Sequence, residues 1–272
     1  MKRSCGILMP ITALPSPYGI GTLGKAAFSF VDFLADAGQS WWQLLPVGHT
    51  SFGDSPYQCF STCAGNPYLV DLDLLCRDGL LKPEELRSVS WGEDPQKVDY
   101  AAIYANRFSL LQLACQRGWD ADQKAIAAFG RENEDWLEDY ALFMALKRRF
   151  DMKPWYEWPD EDLRLRRPAA LAACREALES DVRLFTYIQY LFFKQWNALR
   201  AYAREKGIGI IGDLPIYVAL DSADVWADPS GFQLDSRNVP TEVSGVPPDY
   251  FNEDGQLWGN HTASPKSRAR SS

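Results

Sequence analysis

CGILMP (residues 5–10) and KAAFSFVDFLADAGQSWWQLLP (residues 25–46) decide the fold. Cys5–Met9 is a short apolar run stopped by Pro10, the pattern of a buried strand. Lys25–Ala37 carries Ala27, Phe30, Val31 and Leu34 at helical spacing, and Gly38 stands just past the helix end, where glycine is favoured. Ser40–Leu45 is a second apolar run, stopped by Pro46. Strand, loop, helix and strand in this order predict a parallel βαβ unit. Farther on, Ile208–Gly212 (IGIIG) reads as a third buried strand, with Asp213 at its carboxyl end.

The residues between these strands read differently. Residues 47–75 form a long loop containing GDSPYQ and AGNPYL, and a loop of that length in a compact protein is usually functional. From Lys82 to Gly207 the pattern is helical. Asp135–Phe150 places Trp136, Leu137, Tyr140, Phe143 and Met144 on one face, with Asn133 as its expected N-cap and Lys147–Arg149 in its last turn. Asp181–Lys206 is a longer helix carrying Phe185, Ile188, Phe192, Trp196 and Leu199. Such stripes are core faces before they are ligand grooves. Three parallel strands are recognisable, and nearly half the chain is spent on the helical insertion. An eight-stranded barrel needs about 250 residues before insertions, so this chain cannot supply eight strands.

Composition narrows the function classes. The chain has 272 residues, 46% of them hydrophobic, enough for a real core. Its net charge of −8 disfavours nucleic acid and anionic membranes as partners. The basic clusters Lys147–Arg149 and Arg164–Arg167 are expected to cap or solvate helices. Six scattered cysteines and two histidines make neither a disulfide framework nor a metal cluster, and the first apolar run is too short for a signal peptide or membrane span. A reduced, cytoplasmic protein is expected, with no metal or organic cofactor. Ten Trp offer flat faces with a polar edge, suited either to sugar clefts or to a Trp-rich core.

In parallel α/β folds, loops at the carboxyl ends of strands build the site. GDSPYQ follows the second strand, Asp213 ends the third, and SADVW and GVPPDYF follow Asp213. Asp54, Asp213, Asp221, Asp224 and Asp249 sit among Tyr57, Tyr217, Trp226, Tyr250, Phe251 and Trp258. Acids interleaved with aromatics suit a polyhydroxylated ligand, because rings stack on sugar faces while carboxylates accept from hydroxyls. Glycoside chemistry needs two carboxyl groups flanking the scissile bond. Strand-end position makes Asp213 the first choice of nucleophile on residue grounds alone. Capping or turn formation is the plainer role for Asp221 and Asp224, and Asp54, before Ser55–Pro56, reads equally as a turn former.

GILMPITALPSPYGIGTLG (residues 6–24), GDSPYQCFSTCAGNPYLVDL (53–72), GDLPIYVALDSADVWADP (212–229) and SGVPPDYFNEDGQLWGN (244–260) resemble the 4-α-glucanotransferases, the amylomaltase or disproportionating-enzyme family, glycoside hydrolase family 77. The resemblance implies a (β/α)8 barrel with helical insertions and retaining transfer of α-1,4-glucan segments between maltooligosaccharides through a covalent glucosyl-enzyme intermediate. Joined to the strand tally, the expected fold is α/β, an incomplete (β/α)8 TIM barrel of about three strands. Its parts would be residues 1–78 with a substrate loop, a mostly helical insertion at 79–206, the third strand with substrate loops at 207–260, and a disordered tail at 261–272. By motif, Ser55 and Tyr57 resemble residues near the donor sugar. Asp213 resembles a sugar-site acid that supports the centre and is not the nucleophile, which overturns the reading from position. Gly245, Pro247 and Tyr250 belong to a loop over the glucan, and Trp258 resembles an aromatic lining the cleft.

After Asn260 the composition changes to HTASPKSRARSS, too polar to bury a core. The family continues there with a Pro–Leu–Tyr type sequence, and its nucleophilic Asp lies in an Arg–Ile–Asp–His type motif farther on, followed by the acid/base Glu and a third essential Asp. None of these occurs in this chain, so no catalytic residue is assigned, and a frameshift, early stop or gene fragment is the expected origin. The readings are a glucanotransferase by descent that is inactive alone, a non-catalytic glucan-binding fragment, or a non-functional product of poor solubility.

Overall fold

The computed structural model describes residues 3–51, 53–94, 96–215, 217–235, 238, 240–250 and 252–261, with backbone alone for 243, 244 and 257–261. The chain divides into two compact units: residues 1–49, 65–134 and 183–213, and residues 50–64, 135–182 and 214–272. The helical residues 79–206 are thus distributed over both.

The first unit is built on a parallel sheet in the order β1 (Gly6–Leu8), β2 (Trp41–Gln43), β3 (Gly209–Ile211). The register aligns Gly6 with Trp41 and Gly209, Ile7 with Trp42 and Ile210, and Leu8 with Gln43 and Ile211. The strands form where expected, because each is a short apolar run closed by Pro or Gly. Between β1 and β2, α1 (Lys25–Asp36) buries Ala27, Val31 and Leu34. Phe30 meets Trp42 edge-on at 5.0 Å, and Trp42 is fully buried, its indole N–H donating to Met9 O at 2.8 Å. Gly38 ends the helix in the left-handed region expected of a glycine there.

Three more helices lie wholly in this unit: α2 (Leu72–Arg77), α3 (Pro83–Arg87) and α4 (Tyr100–Glu132). Asn133 does not cap the following helix. It ends α4, and its amide donates back to Phe129 O at 2.8 Å. The polar sequence around Asn133 marks a boundary, and the 33-residue α4 claims the residue as its last turn. From Arg183 onward the long helix α8 (Glu179–Glu205) lies in the same unit and packs on α4 through Phe108–Phe185, Trp119–Tyr187 and Phe129–Phe193. Two buried glutamines of α8 hold the chain between 65 and 71. Gln189 accepts from Gly65 N–H at 2.8 Å and donates to Gly65 O at 2.9 Å, and Gln195 does the same at Asp71, at 2.7 and 3.1 Å. Gly65 is required there, because a Cβ would meet the Phe192 ring at 2.1 Å. The fully buried Arg107 of α4 donates to Tyr68 O and Val70 O at 2.6 and 2.5 Å.

The second unit centres on α5 (Leu137–Arg149). Tyr140 to Lys147 are all buried, so this helix is surrounded on every side and not half-exposed as a single apolar face implies. Two further helices, α6 (Glu161–Arg164) and α7 (Pro168–Ala177), follow it, and α9 (Ala223–Ala227) is capped by Ser222, whose hydroxyl accepts from Val225 N–H. A hairpin of β4 (Val243–Val246) and β5 (Gln256–His261) closes the unit in a stretch the sequence suggested was loop. Its second strand runs one residue past Asn260, the point where the composition changes.

Candidate functional site

Ser55 and Tyr57 sit on one tight tip in the second unit. Ser51 N–H donates to Gln58 O at 2.8 Å, Thr50 bridges Cys59, and between them Gly53 and Asp54 turn through the left-handed region. The Ser55 hydroxyl accepts from the Tyr57 N–H, which fixes the turn, and Tyr57 is 43% exposed. An aromatic ring held out on a fixed turn is a stacking surface with little rotameric freedom to lose.

The base of that tip is clipped to the segment after β3. Ala223 N–H donates to Phe60 O at 2.8 Å, while Asp224 accepts from Thr62 N–H at 3.0 Å and from its hydroxyl at 2.7 Å. Asp221 accepts from Lys147 Nζ at 2.5 Å and from Trp155 N–H at 3.2 Å, and Trp155 Nε1 donates to Leu220 O. Asp221 and Asp224 do more than the local capping or turn formation expected of them, since both join segments far apart in sequence. Burial pushes both carboxyls above the ordinary carboxylate range, against the hydrogen bonds and the Lys147 charge that favour the anion.

Lys147 was expected to solvate a helix end. Instead its side chain is 1% exposed, its ammonium also donates to Met152 O and Lys153 O, and it lies 5.1 Å from the Phe60 ring centre. Burial lowers its pKa, and Asp221 opposes that shift. Arg166, from the other basic cluster, stacks 4.3 Å over Trp226 and pairs with Asp139 at 2.6 Å. The clue to Lys147 was its setting: a cation ending the wholly apolar ALFMAL run (residues 141–146) must pass its stem through the core.

Gly245, Pro247 and Tyr250 share a second tip, on the β4–β5 hairpin. Gly245 pairs with Leu257 beside a bulge, and Asn252 N–H donates to Asp249 at 2.8 Å, closing the turn. Gly255 has φ +69° and a Cβ there would meet Val246 O at 2.6 Å, so only glycine fits. Tyr250 is 96% exposed. The side chain of Trp258 lies outside the described residues, as does Phe251. Asp213 follows β3 in the first unit, at the carboxyl end of the sheet.

Other groups that could carry chemistry are quenched. Burial pushes the His49 imidazole down to about 3 and the Cys59 and Cys115 thiols up to about 12 and 11. All six cysteines are free, and among the described residues no cluster of three acids, histidines or cysteines could hold a metal ion. No helix among them is long and apolar enough to cross a membrane.

The first unit is a parallel α/β sheet with its helices and the second carries two turns with exposed tyrosines, and comparison with known proteins gives the family. The 4-alpha-glucanotransferase family, glycoside hydrolase family 77, matches residues 9–272, and the chain belongs to that family. It is 48% identical over 260 residues to a 4-alpha-glucanotransferase of Streptococcus pneumoniae and 47% identical over 264 residues to that of Thermus thermophilus, covering 95% and 96% of this chain and 52% of each relative. The chain thus spans about half the length of the curated relatives it matches. The solved amylomaltase of Streptococcus agalactiae in complex with acarbose is 44% identical, with a TM-score of 0.96 over 99% of this chain and 55% of that one. A Corynebacterium glutamicum amylomaltase at 18% identity and TM-score 0.70 shares the fold.

Proposed function

We propose that this chain supplies a glucan-binding portion of a 4-α-glucanotransferase and does not cleave glucan by itself. Its ligands are α-1,4-glucans such as maltooligosaccharides, and its fold is the first three strands of a (β/α)8 barrel with a helical insertion. Ser55 and Tyr57 contact the donor sugar, Gly245, Pro247 and Tyr250 cover the glucan, Trp258 lines the cleft, and Asp213 supports the sugar without acting as nucleophile. The observation that carries the reading is the clipping of the Ser55–Tyr57 tip through Asp224 and Thr62, which holds an exposed aromatic ring on a fixed base. Asp221 and Asp224, at the base of that tip, are spent on structural contacts, so they supply neither nucleophile nor acid/base. The net charge of −8 favours no nucleic-acid partner, and the site of action is cytoplasmic.

Titration with acarbose and with maltoheptaose, followed by tryptophan fluorescence, tests this. A saturable change is expected, weakened at least tenfold by Tyr57→Ala. Absence of saturable binding to either ligand overturns it.

A further inference from the structure

A buried cation touches the root of the Tyr57 tip. The three ammonium donors of Lys147 are all spent within the second unit, on Met152 O at 2.7 Å, Lys153 O at 2.9 Å and Asp221 Oδ2 at 2.5 Å. Asp221 is itself held, because its other oxygen accepts from Trp155 N–H at 3.2 Å and Trp155 Nε1 donates to Leu220 O at 2.6 Å. The remaining contact of the ammonium is the Phe60 ring, whose centre lies 5.1 Å away, within cation–π reach. Phe60 is the hinge of the tip. Its carbonyl accepts from Ala223 N–H at 2.8 Å, and Thr62, clipped by Asp224, stands two residues on. On its other side Cys59 bridges Thr50, and the Cys59 thiol donates to Pro56 O at 3.1 Å. Within the tip, Ser51 N–H donates to Gln58 O at 2.8 Å and Gln58 N–H to Ser55 O at 3.1 Å.

Apolar packing has no direction, whereas hydrogen bonds weaken steeply with angle. Three oxygens from separate places in the chain therefore fix the Lys147 Nζ, and the Nζ fixes the Phe60 ring. We propose that Lys147, oriented by Asp221, is a positioning residue for the glucan tip. Its ammonium holds Phe60, and Phe60 sets where Ser55 and Tyr57 stand against the donor sugar. Lys147 touches no sugar itself. The inference rests on the glucan reading above and goes beyond it by giving the buried pair a part in affinity, not in stability alone.

The test compares the native chain with Lys147→Met combined with Asp221→Leu, in which apolar side chains replace the pair and most of the lost stability returns. Two readouts are taken: hydrogen exchange at the Ser51 and Gln58 amides, and acarbose affinity by calorimetry. Exchange at both amides should be roughly tenfold faster, with the α5 amides unchanged. Acarbose should bind roughly tenfold more weakly, because an unheld tip must be ordered on binding. Phe60→Leu leaves Lys147 and Asp221 paired and should loosen the same two amides, so the proposal stays testable if the double variant does not fold. Native tip exchange in Phe60→Leu overturns the proposal. So does a double variant whose tip exchange or affinity returns with its stability, since the pair is then packing only. Faster exchange in the variants, with no acarbose binding by the native chain, upholds the hold on the tip and sinks the glucan reading instead.

Discussion

At the scale of single residues, the decisive contact is Lys147 with Asp221. The lysine is almost wholly buried and the carboxylate side chain 22% exposed, so removing the cation leaves a charge with poor access to water. Lys147→Met should destabilise the chain by about 3 kcal/mol, and adding Asp221→Leu should restore most of it, as measured by urea unfolding. This pair was illegible in the sequence because the partners are 74 positions apart: the apolar run before Lys147 marks its burial and says nothing of its partner. Ser55 and Tyr57 were legible because GDSPYQ is a contiguous turn whose residues demand that geometry. Glu85 offers a second handle. It takes two bonds from Arg117, at 2.8 and 2.6 Å, and one from Lys82 N–H, which hold its carboxyl down at about 2. A carboxyl depressed on folding stabilises above its unfolded pKa, and that contribution is lost as pH falls through the folded one. The melting temperature of the native chain should therefore exceed that of Glu85→Gln at pH 7, with the gap closing between about pH 4.5 and 2.

At the scale of elements, the three strands and α1 could be read directly. Each strand is an apolar run closed by Pro or Gly, and no competing period disturbs it. The ends of the long helices were harder to read. Asn133 has the chemistry of an N-cap, yet α4 extends far enough to take it as a terminal residue. The β4–β5 hairpin escaped notice because β4 is only four residues long and runs straight into Pro247 and Pro248, and neither strand alternates. What organises α8 against the 65–71 segment is a pair of glutamines, and amide identity carries no positional signal. Gln189→Leu removes both buried partners of Gly65, whose N–H and C=O then have none; it should cost about 2 kcal/mol, read from the denaturant midpoint.

At the scale of the whole molecule, the described sheet has three parallel strands, and α1 packs on it through Phe30 against Trp42. Strand count and order could be read from the sequence. Asp221 and Asp224, at the base of the Tyr57 tip, are occupied by Lys147, Trp155 and Thr62. A retaining transfer needs two carboxyl groups about 5 Å apart across the bond, one of them able to attack. The central claim is therefore binding without cleavage. The most direct measurement is prolonged incubation of the purified chain with maltotriose, with products resolved by chromatography. The account predicts unchanged maltotriose, whereas sustained release of glucose with matching longer oligosaccharides would contradict it.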